Sequence, residues 1–133
     1  MNEYQHREVE ARQLGNYRLT RLLGQGMSSE VYLGEHVLFH SPAAVKILHG
    51  YSEQAEVQKF LARAEVLSHL RHPNIVSVLE YGIEGNNAFL IMDYAPYGTI
   101  RERYPKGTRL PLSTVVRYVK QISSALHYVH QHN

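Results

Sequence analysis

The chain of 133 residues has no cysteine, which excludes disulfides and thiolate metal sites and fits a reducing compartment, with the cytosol as the default. It has no long apolar run either. The longest, Ala88 to Met92, is far too short to span a bilayer, and Met1 to Gln13 is polar without the apolar core of a signal peptide. No membrane segment is therefore expected in this chain. Neither sign of charge dominates, since 14 Lys and Arg face 12 Asp and Glu for a formal net charge of +2, and the two signs are interleaved. Without a basic patch, nucleic acid and anionic membrane are not expected partners. Internal repeats and low-complexity tracts are also absent, which leaves an ordinary packed globular chain, one domain or part of one.

What is present begins with Leu23-Gly24-Gln25-Gly26-Met27-Ser28-Ser29-Glu30-Val31-Tyr32, followed by Ala44-Val45-Lys46-Ile47-Leu48. Tyr17 to Leu22 reads as a strand broken by Gly24 and Gly26, and Glu30 to Gly34 as its return, so the two form a glycine-tipped hairpin. A third strand, Ala43 to Leu48, places Ala44, Lys46 and Leu48 on one face and Val45 and Ile47 on the other. Val57, Phe60, Leu61, Ala64, Leu67 and Leu70 follow helical spacing, with Ser52 as the expected cap and His72-Pro73-Asn74 as the stop. Two more strands, Ile75 to Tyr81 and Ala88 to Tyr94, are joined through the turn chemistry of Gly85-Asn86-Asn87. Ala95-Pro96-Tyr97-Gly98 breaks regular structure, and Thr99-Ile100-Arg101-Glu102 has capping-box spacing for a short helix. After a loop over Lys106 to Leu112, Ser113 opens a long helix with Val115, Val116, Val119, Ile122, Leu126 and Val129 on one stripe.

In order, the glycine loop, the lysine strand, the helix ending in Leu70-Arg71-His72-Pro73-Asn74-Ile75-Val76, and Leu90-Ile91-Met92-Asp93-Tyr94 before a break resemble the protein kinase family. Among its branches the chain is most similar to the eukaryotic-like serine/threonine kinases of bacteria. The resemblance runs from Tyr17 to Asn133 and covers about half of a kinase catalytic domain. It implies an α+β fold: a kinase N-lobe of five antiparallel strands plus one helix, followed by the first helices of a truncated C-lobe. The expected divisions are an N-terminal extension over 1–16, the N-lobe over 17–94, a hinge over 95–98 and the start of the helical C-lobe over 99–133.

By the same resemblance the chain binds ATP. Gly24, Gln25, Gly26, Ser28 and Ser29 would form the phosphate-covering loop, its glycines allowing close backbone approach and positive φ. Leu23, Val31 and Ala44 would hold the adenine, Val76 and Met92 would line its pocket, and Lys46 would contact the α- and β-phosphates. The carbonyl of Asp93 and the N–H of Ala95 would meet the adenine edge, and Thr99 would lie near the ribose. The loop departs from the family pattern, with Ser29 where the third glycine belongs and Ser28 where an aromatic often sits, which implies weaker phosphate cover.

A second departure concerns the partner of Lys46. The family places a glutamate on the following helix, yet counting back from His72-Pro73-Asn74 puts Arg63 there, and Glu65 falls about 200° around the helix from it. Two readings stay open: a helix shifted in register or rotated, or a missing ion pair. The family's catalytic Asp, its Mg²⁺-binding Asn and its D-F-G motif would all lie past Asn133. The chain alone is therefore expected to be inactive, its parent transferring the ATP γ-phosphate to protein Ser or Thr hydroxyls with Mg²⁺. The alternative is a non-catalytic, kinase-like interaction module.

Overall fold

A computed structural model of the protein describes residues 12–132. They fall into two compact units, a sheet unit of residues 12–69 with Ser77–Tyr94 and a helical unit of Leu70–Val76 with residues 95–132.

The sheet unit has six strands, β1 (Gln13–Leu14), β2 (Tyr17–Gln25), β3 (Ser29–His36), β4 (Pro42–His49), β5 (Val78–Glu84) and β6 (Asn87–Asp93). They lie in the order β1-β2-β3-β4-β6-β5, and every neighbouring pair is antiparallel. Four lie where the sequence predicts strands, and β5 runs Val78–Glu84 where Ile75 to Tyr81 is expected, because the segment before it belongs to the helical unit. The sixth, β1, corrects the expected strand count and lies inside the span read as an extension; it pairs with β2, and Leu14 is buried. Residues 1–11 of that expected extension lie outside the described residues.

Alternation along β4 separates the two faces of the sheet. Ala43, Val45 and Ile47 are fully buried, and with Leu14, Tyr17, Leu19, Tyr32 and Ile91 they make the main core. Ala44, Lys46 and Leu48 point the other way and are half-buried. Two bulges alter the expected alternation of β2, because its register against β3 shifts between Leu19 and Arg21 and again between Leu22 and Gly24. Leu22 thereby packs against the same core as Leu19. At the first bulge the Thr20 hydroxyl donates to the Leu33 carbonyl at 2.9 Å.

The two ends of the sheet are also tied to each other. Glu80 on β5 accepts from the Asn16 backbone N–H at 3.2 Å and from its side-chain amide at 2.5 Å, in the turn between β1 and β2. Gly15 takes φ +54° in this turn, and a Cβ there would sit 3.1 Å from the Glu80 carboxylate. Burial together with Glu80 raises the pKa of Tyr17.

Helix α1 (Gln54–His69) covers the Lys46 face at the β5–β6 side, burying Phe60 and Ala64 against Ala88, with Leu48, Tyr81, Ile83 and Leu90 packed around them. It starts at Gln54, so Ser52 lies outside the cap position. The β5–β6 hairpin turns at Gly85, with φ +59°.

In the helical unit, α2 (Ile100–Arg103) carries the expected capping box. Thr99 Oγ1 accepts from the Glu102 N–H at 3.1 Å, and Glu102 Oε2 accepts from the Thr99 N–H at 3.2 Å. The segment Leu70–Val76 is clipped to α3 (Leu112–Gln131) at three points one helical face apart. The Arg71 N–H donates to the Tyr128 hydroxyl at 2.8 Å, His72 Nε2 lies 3.0 Å from Ser124 Oγ, and the Asn74 amide donates to the Gln121 carbonyl at 3.1 Å. Because His72 Nδ1 accepts the Asn74 N–H at 3.0 Å, a neutral ring carries its proton on Nε2 and donates it to Ser124. Helix α3 has no buried residue, and its apolar stripe, Val115, Val116, Val119, Ile122 and Leu126, is exposed. No helix among the described residues is long and apolar enough to cross a membrane.

Candidate functional site

The register of β3, β4 and β6 brings four of the expected residues onto one patch of the sheet. Val31 is paired with Lys46, and Ala44 with Met92, so all four side chains leave the same face on adjacent strands. The same pairings add three residues that motif reading missed: Leu33 opposite Ala44, Leu90 opposite Lys46, and Val78 opposite Met92. The period of two through Ala88, Leu90 and Met92 was the signal that could have placed Leu90 there. The patch is an apolar, half-buried surface with one cation, Lys46, set in it.

The glycine loop joins β2 to β3 at the edge of this patch. Its backbone closes tightly, with the Gly26 N–H donating to the Ser29 carbonyl at 2.7 Å. Gly24, Gln25, Gly26 and Ser28 are exposed, and Met27 projects fully into solvent. The expectation of positive φ at Gly24 and Gly26 is not met, since neither is among the positive-φ glycines. A Cβ at Gly24 would find nothing within 4 Å, whereas at Gly26 it would lie 3.2 Å from Ser29 Oγ. Ser29, in the third glycine position, thus fills the room over Gly26 with its own side chain. Leu23 lies at the second bulge, half-buried and out of step with its neighbours.

Lys46 has no carboxylate within ion-pair distance among the described residues. Arg63 and Glu65 on α1 are both exposed, and Glu56 is engaged with Lys59 at 4.0 Å. At the end of β6, Asp93 donates its N–H to the Ser77 carbonyl at 3.0 Å and accepts the Ser77 N–H on its side chain at 3.3 Å. A ligand contact from its backbone would therefore use its carbonyl. Val76, Ala95 and Thr99 belong to the helical unit, where Val76 and Ala95 are exposed and Thr99 caps α2.

A second cluster, which the sequence did not reveal, lies on the opposite face of the hairpin. The Tyr32 hydroxyl donates to Glu30 at 2.5 Å, Glu30 meets His49 Nε2 at 3.1 Å, and His49 Nδ1 meets Asn87 Oδ1 at 2.9 Å. The Tyr32 hydrogen bond, reinforced by His49, holds the Glu30 carboxyl below its ordinary value despite partial burial. Burial first, and Glu30 second, push Tyr32 up to about 12. His49 is raised by its bonds to Asn87 and Glu30.

The family model for the protein kinase domain matches residues 17–133. The chain belongs to the protein kinase family. Its kinase relatives include the serine/threonine-protein kinase PrkC of Bacillus subtilis, 32% identical over 119 residues that make up 88% of this chain and 18% of that protein. Pkn1 of Myxococcus xanthus is 36% identical over 87% of this chain and 17% of its own length, and Aurora kinase A-A of Xenopus laevis is 36% identical over 88% and 29%. The solved kinase domain of Mycobacterium tuberculosis PknI superposes with a TM-score of 0.73 at 28% identity, over 92% of this chain and 51% of that one. The chain thus spans less than a third of these curated kinases and about half of the solved kinase domain. The antiparallel sheet with its single helix is the N-lobe architecture of that family.

Proposed function

We propose that this chain binds ATP as the nucleotide-holding part of a serine/threonine protein kinase whose whole protein transfers the γ-phosphate to Ser or Thr hydroxyls of a protein substrate. The observation that carries this reading is the shared patch of Val31, Ala44, Lys46 and Met92 beside a loop with open space at Gly24. The apolar positions suit a flat ring, and the small Ala44 leaves room for it. Lys46, with no competing carboxylate among the described residues, suits an anionic phosphate in a partly desolvated setting.

On this reading Gln25, Gly26, Ser28 and Ser29 cover the phosphates through their backbone, while Leu23 closes over the ring. Following the family's pattern, Val76, the Asp93 carbonyl, the Ala95 N–H and Thr99 take pocket, adenine-edge and ribose roles. The family's base and Mg²⁺ ligands are not among these 133 residues, so the chain by itself binds nucleotide without turning it over. A cytosolic setting suits both the ATP and the cysteine-free composition.

The test is calorimetric titration of ATP into the chain. Binding that weakens by about tenfold or more in Lys46→Ala, and is lost when Ala44→Phe fills the ring position, supports the reading. Equal affinity in all three proteins would sink it.

One observation favours a second reading, a non-catalytic kinase-like module. Lys46 has no carboxylate partner among the described residues, and Arg63 stands in the family's glutamate position by the count from His72-Pro73-Asn74. In the full-length gene product, Arg63→Glu raises phosphate transfer to a Ser/Thr peptide if the missing pair limits an otherwise working kinase. A product that transfers nothing in either form, while ATP still binds, is the module.

A further inference from the structure

The His49 side chain ties the face of the glycine hairpin that carries Glu30 and Tyr32 to the β5–β6 hairpin. Its backbone N–H donates to the Ser28 carbonyl at 2.9 Å, inside the loop. Its ring then bridges Glu30, the residue just after the loop, and Asn87, on the β5–β6 hairpin. Both ring nitrogens therefore face oxygen acceptors. With the Asn87 amide turned so that Oδ1 faces the ring, a neutral imidazole carries one N–H and satisfies one of them, whereas an imidazolium donates to both.

We propose that protonated His49 is a positioning residue for the glycine loop, its ring clamping Glu30, the residue that ends the loop, to the β5–β6 hairpin, and that the loop loosens when the ring loses its proton. The effect on ATP rests on the nucleotide reading above; the clamp itself does not. The groups around the ring are Glu30 and Tyr32 on β3, Asn87 on β6 and the more distant Arg12, whose charge opposes protonation. Asn87 and Glu30 outweigh Arg12 and burial, so the His49 pKa is raised. The sign follows: the clamp is complete at pH values below the His49 pKa and is lost as pH rises through it. On the acid side it fails as Glu30 protonates, below the usual carboxylate range.

The test is NMR on the intact chain from about pH 4 to about pH 9, following the His49 ring and the amides of Gly26, Ser28 and Ser29 together, with ATP affinity measured over the same range. The expected result is a His49 pKa above its ordinary value, loop amides that shift with the same midpoint, and ATP affinity falling about threefold to tenfold across it. His49→Gln removes that step while leaving any titration of ATP itself. Asn87→Ala keeps the ring but lowers its pKa, which guards against a His49 variant that folds poorly. A His49 pKa at or below the ordinary value, or loop amides that ignore it, overturns the proposal. Loop amides that follow His49 in a chain that binds no ATP at any pH leave the clamp standing and remove the nucleotide reading.

Discussion

The two units of this chain are stabilised in different ways. In the sheet unit, strands far apart in sequence bury Val45, Ile47 and Ile91 completely, and the Glu80–Asn16 clasp joins the two ends of the sheet. In the helical unit Leu70 is the one buried apolar residue, and order comes from polar devices: the capping box at Thr99 and the three clips from 71, 72 and 74 onto α3. Burial of apolar area is the larger contribution per residue, at roughly 1.5–3 kcal/mol for a full aliphatic side chain, against about 1 kcal/mol net for a hydrogen bond. The sheet unit is therefore expected to unfold as one cooperative block and the helical unit to open at lower free energy.

The strongest way to break that contrast is a matched pair of truncations. Ile91→Ala empties a fully buried site and is expected to cost about 2–5 kcal/mol, whereas Ile122→Ala on the half-exposed stripe of α3 stays within about 0.5 kcal/mol. Urea titration followed by circular dichroism reads both. Similar losses from the two would mean that the α3 stripe is covered in solution.

Next comes a pair of glycines within the sheet unit. A Cβ on Gly34 would meet Val45 Cγ2 at 2.8 Å, so Gly34→Ala is expected to destabilise by about 1–3 kcal/mol through overpacking. Gly24 faces open space, so Gly24→Ala leaves stability unchanged to within about 0.5 kcal/mol and reduces ATP affinity instead. A stability loss at Gly24 would show that the glycine answers to the fold and not to a ligand.

What the sequence revealed divides along the same line. The faces of β4 were legible because a central strand alternates strictly, and the capping box at Thr99 was legible because it is local, three residues apart. Features that depend on long-range pairing were not. The first bulge in β2 shifts its register at Thr20 with no glycine or proline to announce it, whereas the second adjoins Gly24, where the sequence does break the strand. The strand expected over Ile75 to Tyr81 in fact runs Val78–Glu84, because the segment before it is drawn to α3 through Asn74. The residues around Lys46 were half legible: the family motif located Val31, Ala44 and Met92, and the period of two could have added Leu90, but Leu33 and Val78 needed the register. His49 and Glu30, 19 residues apart, have no periodic signature at all.

A smaller effect is expected at the clasp. Glu80→Ala removes both acceptors of Asn16 and is expected to cost about 1 kcal/mol, since the bonds are solvent-exposed. Its signature is faster amide exchange at Asn16, with β4 unaffected. Asn16→Ala should give nearly the same loss, and the double variant little more, if the two residues act only through each other.

The most local effect separates the two units most cleanly. Thr99→Ala removes the acceptor of the Glu102 N–H and opens the capping box of a four-residue helix that has no buried residue to hold it. The loss is about 1 kcal/mol, so exchange at the Glu102 amide is expected to rise about fivefold, while Thr99→Ser stays near the wild-type rate. No residue of α2 is among those of the sheet core, so the urea midpoint of the sheet unit is expected not to move. If it does move, the helical unit contributes to the stability of the sheet, and the division into a self-sufficient core and a locally held appendage is wrong.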